Sequence, residues 1–173
     1  MLFRSRNEKG TDSDVGRAYN QFWWDRGSRV VGNKRTSLVV DPADGRIPYT
    51  SAGAKRVADA GPAFGGRRGT DGPEDRSLWE RCITRGLAST ILPTLYNNNI
   101  RIAQAPGYVA IVHEMIHETR VVPLDGSPFT GVRSYLGESR GRWEGDTLVI
   151  ESRNFNGRAP FRGAGANLRL TER

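Results

Sequence analysis

The densest apolar patterning in the chain lies between Pro106 and Gly126, with apolar side chains at 108, 109, 111, 112, 115 and 116 and polar ones at 113, 114, 117 and 118. That spacing is close to the 3.6-residue period of an amphipathic helix. The residue types argue otherwise. Val109, Ile111, Val112, Ile116, Thr119, Val121 and Val122 are β-branched, no N-cap follows Pro106-Gly107, and Leu124-Asp-Gly-Ser-Pro128 closes the stretch as a turn. A strand is the preferred reading and a helix stays open.

Elsewhere the alternation is clearer. Tyr96 to Gln104 reads as a strand after an Asn-rich turn, Gly141 to Ser152 as a hairpin about Gly145-Asp146, and Asn167 to Arg173 as a further strand. Arg29 to Val40 suggests two short strands. A short helix is predicted to begin over Pro48-Tyr-Thr-Ser51 and run through Asp59-Ala60, closed by Gly61. A second is predicted over about 73–85, capped by Asp71, with Pro73 and two acidic residues in its first turn and Gly86 as its stop. Leu87 to Pro93 reads as an apolar loop. The expected fold is mainly β with a few short helices: an antiparallel meander or partial, calycin-like β-barrel with a helix at about 73–85.

Length is sufficient for one domain with a real core, at 173 residues. The polar, aperiodic first stretch suggests a flexible arm over 1–18, followed by one β-rich domain over 19–173. The abrupt finish at Arg173 suggests that C-terminal strands are missing. An edge left open that way invites pairing with a second copy, so a homodimer is expected. No apolar run approaches the roughly 20 residues that span a bilayer, and Met1 to Lys9 holds no signal-peptide core, so the chain as written is expected in the cytoplasm. The net charge of +7 is carried mainly by arginine. Those arginines are scattered without a basic run or interleaved aromatics, which argues against nucleic acid as a partner. Cys82 is the only cysteine. It excludes an internal disulfide and, beside Trp79, Ile83 and Leu87, reads as a buried small hydrophobe.

One motif names a chemistry. His113-Glu-Met-Ile-His117 fits H-E-x-x-H. On a helix the two imidazoles stand about 6 Å apart along the axis and can share a zinc ion, with Glu114 polarising its water. Glu138 is then the best third ligand, since no other histidine exists. On a strand the same residues stand about 13 Å apart, too far for one metal. In that case Glu114, Ile116, Glu118 and Arg120 share one face and His113, Met115 and His117 the other.

Three segments carry a family resemblance: Tyr19-Asn-Gln-Phe-Trp-Trp-Asp-Arg-Gly27, Asp71-Gly-Pro-Glu-Asp-Arg-Ser-Leu-Trp-Glu-Arg-Cys-Ile-Thr-Arg-Gly86 and Gly141-Arg-Trp-Glu-Gly-Asp-Thr-Leu-Val-Ile150. They resemble a large family of uncharacterised soil-bacterial proteins that usually carry a secretion signal, which implies a secreted or periplasmic setting for relatives. The family pattern has Tyr where this chain has His113, while Glu114, His117 and Arg120 match it. The likeness therefore favours those three residues over the zinc set.

Three functions are expected in turn. The first is a small hydrolase acting on an ester, lactone or similar small molecule, with Glu114, His117 and Arg120 as its working groups and no cofactor. The second is a non-catalytic β-barrel binder of a small apolar ligand lined by Trp23, Trp24 and Tyr96. The third is a zinc peptidase using His113, His117 and Glu138. No Gly-x-Ser-x-Gly elbow supports acyl-enzyme chemistry.

Overall fold

A computed structural model of the chain describes residues 24, 27, 29, 31–59, 72–159 and 161–173. The arm expected over 1–18, Trp23 and the cap expected at Asp71 lie outside the described residues. The chain divides into two compact units, one of residues 37–92 and 99–173, the other of residues 1–36 and 93–98. Within the smaller one, the Asn98 side chain folds segment 94–98 on itself, accepting the Thr94 N–H at 2.6 Å and donating to the Thr94 carbonyl at 2.9 Å.

The larger unit is mainly β. β1 (Ile100–Ala105), β2 (Tyr108–His113) and β3 (Thr119–Pro123) form one antiparallel sheet in that order, and β4 (Glu138–Glu144), β5 (Thr147–Arg153) and β6 (Leu170–Glu172) form another. The helices are short: α1 (Ser51–Asp59) and α2 (Leu87–Ile91). Thr50 caps α1 by accepting the Gly53 N–H on its hydroxyl at 3.1 Å.

Turn chemistry sets both sheets. Pro106 and Gly107 join β1 to β2, and Gly107 takes φ +80°, the conformation a type II turn demands of its third residue. Gly145 and Asp146 join β4 to β5 as a two-residue loop with Gly145 at φ +59°. The registers Ile111↔Arg120 and Val109↔Val122 put Val109, Ile111, His113, Arg120 and Val122 on one face of the first sheet. Gly141↔Ile150 and Ile150↔Glu172 likewise group Gly141, Leu148, Ile150 and Glu172 on one face of the second.

These two faces meet. Val109, Ile111, Val122 and Ile150 form the core cluster, with Leu124 and Leu148 packed against it. The approach is closest at Gly141. A methyl group there would lie 2.6 Å from Leu124 Cδ2 and 2.9 Å from Val122 Cγ1, so glycine is what lets β4 come up against β3.

Three expectations change. First, the helix over 73–85 does not form. Pro73–Asp75 is a single 3₁₀ turn. A capping box then starts a new turn at Ser77, whose hydroxyl accepts the Glu80 N–H at 3.2 Å while the Glu80 carboxylate accepts the Ser77 N–H at 2.9 Å. A Schellman closure ends that turn at once: the Cys82 N–H reaches the Trp79 carbonyl and the Ile83 N–H the Leu78 carbonyl, both at 2.9 Å. Cys82 fills the left-handed position at φ +53° and is exposed, not buried. Second, Gly86 does not stop a helix but precedes α2, and the expected apolar loop after it is helical. Third, residues 36–40 carry no strand. Each sheet is itself an antiparallel meander of consecutive strands, as expected, and among the described residues no ladder joins β3 to β4.

Gly141→Ala is expected to destabilise the fold by about 1–3 kcal/mol through overpacking against Val122 and Leu124. Gly165→Ala, where an added methyl group meets nothing within 4 Å, serves as the control. Urea unfolding midpoints compare the two.

Candidate functional site

The central stretch is a hairpin, not one continuous element. β2 ends at His113, and the chain reverses over residues 114–118, where the His113 N–H meets the Glu118 carbonyl at 2.9 Å. Ile116 and His117 both take positive φ, +57° and +43°. A β-branched residue in that region is a true outlier, costing on the order of 1–3 kcal/mol. The reversal regroups the side chains. His113 and Arg120 share the inner face, where an unbroken strand would have opposed them.

The zinc geometry required a helix over 108–118, and that segment is strand and turn. His113 is buried and His117 exposed. Among the described residues no group of three histidine, cysteine, aspartate or glutamate side chains is placed to hold a metal ion. Glu138, the expected third ligand, is committed elsewhere. It accepts the Thr130 N–H at 2.9 Å, the Asn154 amide at 2.9 Å and the Arg140 guanidinium at 2.6 Å. Burial would raise its pKa, but the Thr130 and Gly131 N–H groups and the Asn154 amide outweigh it and hold the pKa at about 2.

Under the hairpin lies a buried polar cluster. Arg120, with a side chain only 6% exposed, makes a two-pronged pair with Glu172, each nitrogen 2.5 Å from a carboxylate oxygen. Its Nε is buried with no hydrogen-bond partner, and so is His113 Nε2. Burial first, and the Arg120 charge second, push the His113 pKa below its ordinary value; Glu118 and Glu172 pull the other way without cancelling this. The Thr84 and Thr90 hydroxyls both donate to the Glu118 carboxylate, which ties the start of α2 to the hairpin tip.

Above this cluster runs an open groove of about 630 Å³. One wall is the hairpin tip and β3, from Ile116 to Pro123. The opposite wall is segment 134–140, leading into β4, and residues 82–84 form one end. Of the expected working groups, His117 and Arg120 line it. Glu114 does not: it is exposed, and its carboxylate accepts the Asn99 N–H at 3.2 Å and the Asn99 side-chain amide at 2.8 Å. Trp24 and Tyr96 belong to the smaller unit and are not among the lining residues. Sequence reasoning missed Cys82, Tyr135 and Arg140 as lining residues, and no local signal marks them.

No family model matches the sequence, and no curated protein or solved structure is significantly similar to it. Among the described residues no helix is long and apolar enough to cross a membrane.

Two outcomes follow from the buried cluster. Because the folded state lowers the His113 pKa, its unfolded chain binds more protons just below pH 6.5, so stability is full above that pH and falls as the pH drops through the window beneath it. His113→Gln is expected to flatten this part of the acid limb in thermal melts taken between pH 7 and pH 5. Separately, Arg120→Met strands the Glu172 carboxylate and is expected to cost roughly 3 kcal/mol, whereas adding Glu172→Leu recovers most of it. Denaturant titration of the single and double variants measures both.

Proposed function

We propose that the chain binds a small, uncharged, amphipathic molecule in the groove between β3 and segment 134–140. One observation carries this reading: the groove has the volume of a small-molecule site, and both arginines that line it are already paired with carboxylates. Arg120 is held by Glu172, Glu138 by Arg140, and Glu118 by two threonine hydroxyls. An anion entering the groove would find no free countercharge among these groups. A neutral ligand loses nothing by that arrangement and gains apolar contact with Ile83, Val121 and Leu136.

A second reading, hydrolysis of an ester or lactone, is favoured by a different observation. His117 is held at positive φ on the groove wall next to an equally unusual Ile116, and such conformations concentrate at working sites. In that role His117 would activate a water as general base. Glu114, turned toward Asn99, would take no part.

A neutral solvatochromic dye such as Nile red tests the binding reading. Saturable one-to-one binding is expected. Val121→Arg and Ile83→Arg change side chains that are 57% and 42% exposed, so each should weaken dye binding at least tenfold while stability moves by no more than about 0.5 kcal/mol. Unchanged affinity in both variants would remove the groove from consideration. Turnover of model esters and lactones that is lost in His117→Ala would shift the assignment to the hydrolase.

A further inference from the structure

We infer that β1 is a self-association edge, on which two copies of the chain pair antiparallel about a two-fold axis at Ile102. The argument starts from the ladder. The Glu114 N–H bonds the Asn99 carbonyl, and β1 pairs with β2 in the register Arg101↔Val112 and Ala103↔Ala110. Alternation along an antiparallel ladder then assigns the backbone groups of residues 99, 101, 103 and 105 to β2. Those of Ile100, Ile102 and Gln104 point the other way, along an edge that no other strand among the described residues covers.

The side chains of these same three residues lie on the core-facing side, beside His113, Ile111 and Val109. Yet Ile100 is 51% and Ile102 62% exposed, and all six residues of β1 are exposed. Among the described residues β1 thus combines backbone groups that pair with no neighbouring strand and exposed apolar side chains on the face that elsewhere forms the core. It also lacks the usual protection of an edge, having no proline, no lysine and no inward-pointing charge.

Charge disfavours one register, and apolar contact between the two Ile102 side chains favours another. Pairing must keep equivalent faces together, so a two-fold axis falls on a residue of β1. An axis at Arg101 sets two guanidinium groups directly opposite, which repel. An axis at Ile102 sets Ile102 on Ile102, Ile100 on Gln104 and Arg101 on Ala103 of the second copy, with no like charges opposed. It also joins the outward-pointing groups in hydrogen-bonded pairs and makes one six-stranded sheet with a continuous apolar face. Six residues bury less than a standard interface, so the association is expected to be weak and concentration-dependent.

Sedimentation velocity on the 173-residue chain over a hundredfold concentration range tests this. The expected result is a rising dimer fraction that is abolished in Ile102→Pro and in Ile102→Lys. Both changes fall at an exposed edge position whose N–H faces outward, so the far-UV spectrum and thermal midpoint should hold. A cysteine at Ile102 in a Cys82→Ser background should form a disulfide-linked dimer on mild oxidation, and one at Val121 should not. Monomer at every concentration overturns the inference. So does a dimer that survives Ile102→Pro with its fold intact, or one that cross-links at Val121 instead.

Discussion

The pair between Arg120 on β3 and Glu172 on β6 is the constraint around which the larger unit is arranged. It joins residues 52 positions apart and spans the two sheets, at the end of the same inner face that carries Val109 and Val122. Such a pair adds little net stability over an apolar filling, because both charges are desolvated. Its effect falls on specificity. A one-residue slip of β3 would turn Thr119, Val121 and Pro123 inward and Arg120 out to solvent, leaving Glu172 without its partner. The same guanidinium adds to the burial that lowers the His113 pKa, and the close approach at Gly141 brings β4 against β3.

Much of the β architecture was legible because its signals are local. Strand alternation, Pro106-Gly107 and Gly145-Asp146 place four of the six strands without reference to anything distant. The helix over 73–85 failed on information that was also present. Ser77-Leu-Trp-Glu80 is a capping-box sequence in the middle of the predicted element, and it marks a start where continuation was assumed. The closing residue gave no such notice. A cysteine in the left-handed position of a Schellman turn has none of glycine's conformational freedom to advertise it.

The hairpin tip was unreadable for a related reason. Reversing a chain at Glu114-Met-Ile-His117 uses none of the glycine, asparagine, aspartate or proline residues by which turns are recognised, and it places isoleucine where few side chains are tolerated. Periodicity reasoning therefore had two continuous elements to choose between, and the chain adopts neither. Once it reverses, His113 and Arg120 fall on one face and Glu114 turns away from both. The groove depends on residues about 35 positions before the hairpin and about 20 after it. Only tertiary packing brings them together.

The left-handed turn at Cys82 sets the chain's single thiol, exposed, at one end of the groove. The protein thus supplies its own attachment point. A thiol-reactive fluorophore would couple at one defined place without any introduced residue, close enough to the groove for its emission to report whether the space beside it is filled. The turn that keeps residues 77–83 from continuing as a helix also makes the site observable in the unaltered protein.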